Sequence, residues 1–390
     1  MRKTITVCLL IILIFQACNI VAFAENEYYI EAENELPGFE INANSVVLME
    51  ATTGEVIYSA NESEALPPAS VTKIMTLLIV CEAISEGRIT LADKVTVSKH
   101  ASSMGGSQVF LSEGEVFTVE DLIKCTVIAS ANDAAVALAK LVCGSEEAFV
   151  QKMNSKAKEL GLNSTHFENT TGLDDDTVDH VTSAIDIAVM SSKLLNYDII
   201  TKYSSRWQDS IRDGEFTLTN TNRLVRFYDG CTGLKTGSTD KAGYCVSASA
   251  KRDGMHLVAV IMGAPTRDER NALATKLLDF GFANYKLFKM DERYVSDVKV
   301  TASETERTPL YAEGFAVLVK KSDYSKIEEV LTIPEEISAP KSSGEPLGSI
   351  KYTIEGKTVL ECKVFAKNSI DKIGYFRALW LFIVSLFKNV

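Results

Sequence analysis

One lysine lies inside an otherwise apolar helix, and no other feature constrains the fold as much. Residues 67–81 read Pro67-Pro68-Ala69-Ser70-Val71-Thr72-Lys73-Ile74-Met75-Thr76-Leu77-Leu78-Ile79-Val80-Cys81. From Ile74 onward the segment is apolar nearly all round, so the helix it forms belongs in the core and ends near Gly87. The two prolines close the preceding extended stretch and suit a helix start. Lys73 enters the core with this helix, and a buried lysine is costly unless it is paired or neutral. Ser70 stands three residues earlier and shares the face of Lys73. A neutral lysine is a base, and a base beside a serine makes a nucleophile.

The spacing alone does not decide the matter. Ser-x-x-Lys recurs at Ser155–Lys158, Ser238–Lys241, Ser338–Lys341, Ser369–Lys372 and Ser385–Lys388. Context has to select among them.

At 390 residues the chain has room for two domains. Its net charge of −12 excludes a nucleic-acid surface. The N-terminus reads as an export signal. Arg2 and Lys3 precede an apolar run over 5–15, and Ala22-Phe23-Ala24 forms a cleavage site that leaves Glu25 as the first mature residue. Gln16 fits poorly in a lipoprotein box before Cys18. Of eight cysteines, Cys8 and Cys18 leave with the signal. The others are widely and irregularly spaced, so buried thiols are expected and a Cys231–Cys245 disulfide is not. His100, His166, His180 and His256 show no metal-ligand spacing, so neither a metal nor any other cofactor is expected.

Along the mature chain, 45–50 and 56–58 predict a hairpin around Gly54. Short strands are expected at 95–97 and 108–111. Helices follow over 119–129, 132–142, 146–160 (capped by Gly161) and 183–195. Residues 196–232 read as turn-rich and polar. A second hairpin spans 244–262, turning at Arg252-Asp253-Gly254, and a long helix spans 267–288. Helices between strands from both ends predict an α/β (α+β) domain in which an antiparallel sheet is covered by helices. Alternating segments at 295–300, 315–319, 350–354 and 359–365 predict a second, small β-rich domain. The apolar run 378–387 is too short to span a bilayer. Its flanking Lys372, Arg377 and Lys388, with Phe376 and Trp380, suit a helix lying in the headgroup region.

Two further motifs complete the Ser70 reading. Ser130-Ala131-Asn132 falls in the break between two predicted helices, and Lys235-Thr236-Gly237 occurs once, entering a strand. Singly, the first reads as a helix N-cap and the second as a strand end. In the order Ser-x-x-Lys, Ser-x-Asn, Lys-Thr-Gly, behind an export signal, they form the motif set of penicillin-recognising serine acyl-transferases. Within that set the chain resembles the D-alanyl-D-alanine carboxypeptidases, the low-molecular-mass penicillin-binding proteins. The resemblance is carried by 68–76, by Ser130-Ala131-Asn132-Asp133-Ala134, by 167–173, by 180–188 and most specifically by 229–239. Many relatives have glycine where Ala131 stands.

The resemblance implies a β-lactamase/transpeptidase-like domain over 37–289, after the signal 1–24. A β-rich domain over 290–367 and a short amphipathic, membrane-associating helix over 368–390 follow. It implies that Ser70 attacks the penultimate carbonyl of a stem peptide ending in D-Ala-D-Ala, with Lys73 as base and Ser130 relaying a proton to the departing nitrogen. The amides of Ser70 and Ser238 hold the oxyanion. Asn132 suits the substrate amide, Lys235 and Thr236 suit the terminal carboxylate, and Gly237 and Ser238 complete the substrate-binding set. The expected partners are peptidoglycan stem peptides, β-lactams as inhibitors and the outer face of the cytoplasmic membrane, with no nucleic acid. His180 reads as structural. Arg267 and Arg270 offer a further carboxylate contact but read better as helix-surface charge.

Other readings remain. A β-lactamase needs fast deacylation, often through a glutamate and a water. Glu159-Leu160-Gly161-Leu162-Asn163 has the spacing of one such motif but reads better as a helix end. An endopeptidase or transpeptidase on the same fold is open. A non-catalytic wall scaffold sits badly with intact Ser70, Lys73, Ser130, Asn132 and Lys235.

Overall fold

The computed structural model describes residues 40–174 and 177–388, so the signal reading of 1–24 lies outside the described residues. The described residues form two compact units. One holds 40–288 with 318–324, the other 289–317 with 325–388.

The first unit is built on one antiparallel sheet. Its strands are β1 (Ser45–Glu50), β2 (Val56–Ala60), β3 (Cys231–Thr239), β4 (Gly243–Arg252) and β5 (Met255–Ala264), in the order β2-β1-β5-β4-β3. The two hairpins predicted at opposite ends of the segment therefore join through the β1–β5 pairing, in which Val47 faces Val260. Both faces of β1 are buried, and its side chains alternate between them. Val47 and Met49 enter the helical core. Leu48, between them, points the other way, toward Gly281.

Seven helices matter for the site: α1 (Lys73–Ser85), α2 (Val119–Ile128), α3 (Asn132–Cys143), α4 (Glu146–Glu159), α5 (Ala184–Leu194), α6 (Asp198–Ser204) and α7 (Arg267–Asn284). Thr118, Ser145, Ser183 and Thr266 cap α2, α4, α5 and α7, each accepting from a backbone amide of the first turn. Such a cap contributes about 1 kcal/mol. In α1, Ile74, Met75, Leu77, Leu78, Ile79 and Val80 are all buried. Each contributes roughly 1.5–3 kcal/mol of apolar burial, which is what allows the helix to carry Lys73 inside. Cys81, Cys125, Cys143, Cys231, Cys245 and Cys362 are free thiols.

Three expectations fail in detail. Residues 108–111 are no strand, because the amides of Val109 and Leu111 donate to the buried Asp133 carboxylate instead of to a neighbouring strand. The polar stretch 196–232 contains α6 and a two-stranded ribbon pairing Gln208–Ile211 with Phe216–Thr219. Helix α7 ends at Asn284, and the chain continues as a strand, Tyr285–Met290.

The second unit is a six-stranded sheet of β6 (Arg293–Thr301), β7 (Arg307–Ala312), β8 (Ile327–Thr332), β9 (Glu336–Ser338), β10 (Pro346–Ile354) and β11 (Lys357–Ala366), in the order β8-β10-β11-β7-β6-β9. Val298, Leu310, Ile350, Val359 and Val364 are among its buried residues. The chain closes with α8 (Tyr375–Lys388), on which Phe376 and Trp380 are exposed. Among the described residues, no helix is long and apolar enough to cross a membrane.

Candidate active site

Three pieces of the first unit converge on Ser70. The serine sits in a single 3-10 turn, Ala69–Thr72, that leads directly into α1. Ser130 lies in the break between α2 and α3. Strand β3 carries Lys235, Thr236, Gly237 and Ser238 past both. The approach is close: a Cβ on Gly237 would stand 2.8 Å from the Ser70 backbone nitrogen, so only glycine lets the strand run there. Ala69 and Ser130 both hold positive φ, +48° and +61°, a region that side chains seldom occupy and that recurs at functional sites.

Lys73 is wholly buried. Its Nζ lies 2.8 Å from Ser70 Oγ, 2.6 Å from Asn132 Oδ1 and 2.8 Å from the Thr171 carbonyl oxygen. Burial holds its pKa well below the ordinary lysine value, and the nearby Lys235 pushes it further the same way. Lys235 is also buried. Its Nζ donates to Ser130 Oγ at 2.8 Å and to the Thr236 carbonyl at 2.7 Å. Burial, then Arg270, brings it down to about 7. Thr236 Oγ1 donates to Thr221 Oγ1 at 2.8 Å.

A second layer holds these groups. Asn132 Nδ2 donates to the Gly105 carbonyl, which fixes the amide so that its oxygen faces Lys73. Asn169 Oδ1 accepts from the amides of Thr171 and Gly172 and presents the Thr171 carbonyl to Lys73. Gly172, at φ +82°, leaves no room for a side chain, since a Cβ would stand 1.8 Å from the Ala69 carbonyl oxygen. His180 is structural. Its Nδ1 accepts from the Glu168 amide, so Nε2 carries the proton toward Thr72 Oγ1 at 2.8 Å, and that hydroxyl donates to the Ala69 carbonyl. Burial lowers the His180 pKa to about 4.

The site opens into a cavity of about 480 Å³. Ser70, Ser130, Thr236 and Ser238 line its wall, together with Trp207, Arg223, Arg267 and Arg270. Lys73, Asn132 and Lys235 lie behind this wall, each at most 1% exposed. Arg270 corrects the sequence reading: it is no helix-surface charge, being 3% exposed and facing the cavity. Burial, with Arg267 next in effect, lowers its pKa to about 10. The i, i+3 step from Arg267 to Arg270 in an N-terminal turn gave no sign that one guanidinium is exposed and the other enclosed. Thr221, Trp207 and Arg223 were missed altogether, and Thr171, inside the 167–173 block, was given no role. Glu159 does not line the cavity; it is exposed and bonds Lys156 at 2.7 Å.

Residues 30–266 match the family model for the D-alanyl-D-alanine carboxypeptidases, peptidase S11. The chain belongs to that family. Residues 282–372 match the penicillin-binding protein 5 C-terminal domain, so the carboxypeptidase unit and the β-rich unit both have counterparts. The D-alanyl-D-alanine carboxypeptidase DacF of Bacillus subtilis is 46% identical over 341 residues, 85% of this chain and 87% of the relative. DacC of Escherichia coli, a carboxypeptidase of the same description, is 31% identical over 378 residues, 94% of this chain and 93% of the relative. Among solved structures, penicillin binding protein 5 from Haemophilus influenzae superposes with a TM-score of 0.75 at 29% identity, covering 87% of this chain and 100% of that one. The carboxypeptidase family is a family of serine hydrolases. That agrees with a serine whose hydroxyl meets a buried amine.

Proposed function

We propose that this carboxypeptidase removes the terminal D-alanine from peptidoglycan stem peptides through an acyl-enzyme on Ser70. One observation carries the assignment of the base. Lys73 Nζ has three oxygen neighbours, and two of them, Asn132 Oδ1 and the Thr171 carbonyl, can only accept. A neutral amine has two N–H bonds and one lone pair. Both N–H bonds are used on those acceptors, so the lone pair faces Ser70 Oγ, ready for its proton.

Ser70 Oγ then adds to the penultimate carbonyl, and the C–N bond to the leaving D-alanine breaks. The resemblance assigns the oxyanion to the amides of Ser70 and Ser238, and the contact of Gly237 with the Ser70 turn supports holding the two close together. Ser130, bonded to Lys235, delivers a proton to the leaving nitrogen. Thr236 and Arg270 line the cavity where the substrate carboxylate is expected, and the buried Lys235 adds its charge from behind this wall. Asn132 steadies Lys73 beside its expected contact with the substrate amide. Water then releases the shortened peptide and frees Ser70. A β-lactam, whose amide copies the D-Ala-D-Ala bond, acylates Ser70 and leaves slowly. The ion-paired Glu159 offers no route to the fast deacylation of a β-lactamase.

We place the enzyme on the outer face of the cytoplasmic membrane. The 1–24 signal pattern supports export, and the exposed Phe376 and Trp380 on α8 support a helix in the headgroup layer. The test is D-alanine release from diacyl-Lys-D-Ala-D-Ala by the chain starting at Glu25, beside a Ser70→Ala control. Release that vanishes in the variant is expected. Labelling of Ser70 by penicillin without release would keep the nucleophile and overturn the substrate.

A further inference from the structure

The cavity extends beyond what a departing D-alanine needs. A volume of about 480 Å³ falls in the range, roughly 300–1,000 Å³, that encloses a drug-sized ligand. Arg270 bonds the carbonyl of Cys245, which pairs with Gly237 beside Thr236, and Arg223 follows Thr221, whose hydroxyl accepts from Thr236. Arg223 and Arg267 are also electrostatic neighbours of Arg270. The guanidinium groups therefore gather near Thr236, where the terminal carboxylate is expected, and so near the residue that leaves.

Its charge is one-sided. Among the described residues, three guanidinium groups line the cavity and no aspartate or glutamate does. The buried Arg270 donates only to neutral oxygens, Asn271 Oδ1 and the Cys245 carbonyl. Among the described residues, none of the three arginines forms an ion pair. Arg270 is enclosed without a counter-anion, and Arg223 and Arg267 add positive charge at the exposed mouth, so such a site favours anionic ligands. One carboxylate, the terminus of the peptide, matches Arg270 beside Thr236. Arg223 and Arg267, exposed at the mouth, are left over. Arginine forks suit a carboxylate, and the Trp207 ring offers a surface for an aliphatic stem.

We infer that the leaving-group side of this site accepts a C-terminal D-residue carrying a second carboxylate, held by Arg223 and Arg267. The inference rests on the carboxypeptidase reading above. The bond changes are unchanged: Ser70 Oγ bonds to the acyl carbon, the C–N bond to the acidic residue breaks, its nitrogen gains a proton, and water later regenerates the serine.

The test compares diacyl-Lys-D-Ala-D-Ala with the same peptide ending in D-Glu or D-Gln, which differ from each other in charge and hardly in size. For the unaltered chain we expect kcat/KM to be about tenfold higher for D-Glu than for D-Gln. In an Arg223→Gln, Arg267→Gln double variant that ratio should fall to about one. A ratio near one in the unaltered enzyme, or a ratio that survives the double substitution, overturns the inference. Release of D-alanine in either case leaves the carboxypeptidase reading standing. If no peptide is cleaved, protection of Ser70 from labelled penicillin gives the answer instead. Stronger protection by the D-Glu peptide, lost in the double variant, supports the inference; equal protection by both peptides overturns it.

Discussion

Lys73 Nζ and Asn132 Oδ1 stand 2.6 Å apart inside the core, and among the described residues a neutral amide is the only side-chain oxygen besides Ser70 Oγ that touches the amine. An amide oxygen accepts an N–H without adding charge, so it aims the lysine without holding it protonated. Asn132→Asp keeps the shape and places a carboxylate there. The lysine pKa should rise, and acylation of Ser70 by labelled penicillin at pH 7 should slow by about a hundredfold or more. The acid limb of the rate profile should move to higher pH. An unmoved limb would show that Lys73 is not the base.

Lys235 gives the alkaline side. Buried and brought down to about 7, it loses its charge near neutrality in the free enzyme. The value of kcat/KM for diacyl-Lys-D-Ala-D-Ala should therefore fall above pH 7. Bound substrate brings a carboxylate, which favours the charged form, so the limb in kcat should lie at higher pH. Paired pH profiles of the two constants check this.

Gly172 should tolerate no side chain. At φ +82° with a Cβ 1.8 Å from the Ala69 carbonyl, Gly172→Ala must displace the turn that carries Ser70. We expect a loss above about 3 kcal/mol, with acylation slowed even in the folded fraction. Gly54→Ala, at φ +77° with nothing within 4 Å, should cost only about 1 kcal/mol. Urea unfolding of the two variants provides the comparison.

His180 ties stability to acidity. Its pKa is about 4 in the folded state against an ordinary 6.5. Between those values the unfolded chain binds a proton that the native state refuses, so stability is full above pH 6.5 and declines as pH falls toward 4. The slope approaches about 1.4 kcal/mol per pH unit from this one residue. His180→Gln should flatten the dependence of the urea midpoint between pH 7 and 5.

Removing 370–390 takes away α8. The shortened protein should still release D-alanine and should no longer sediment with anionic vesicles that retain the full mature chain. Continued sedimentation would rule out α8 as the anchor.

The sheet and the first-layer site were legible because their signals are local. An apolar helix interrupted by Lys73 means burial whatever surrounds it, and the alternation at 244–262 means a hairpin wherever it packs. What stayed hidden depends on partners far away in sequence. Val109 and Leu111 have strand-like neighbours, but Asp133 takes their amides. The strand Phe216–Thr219 alternates Phe216 and Leu218 with two threonines, a four-residue pattern too short to reveal a ribbon. Strand β7 contains Pro309, which argues against a strand in any local reading. Arg270 looks like its exposed neighbours in α7, and only the tertiary structure encloses it. The bond that His180 makes to Thr72 could not be seen from spacing.

The six thiols have a practical consequence. With no cross-link between them, the fold owes nothing to an oxidant and should form equally well under reducing conditions. Cys81, Cys125, Cys245 and Cys362 are buried, and burial raises the Cys81 thiol to about 12, so alkylating reagents should pass them by while the protein is native. Each becomes reactive only when its surroundings open. The rate at which iodoacetamide labels Cys81 and Cys125, against that for Cys362, should therefore time the opening of the helical core separately from that of the β-rich unit.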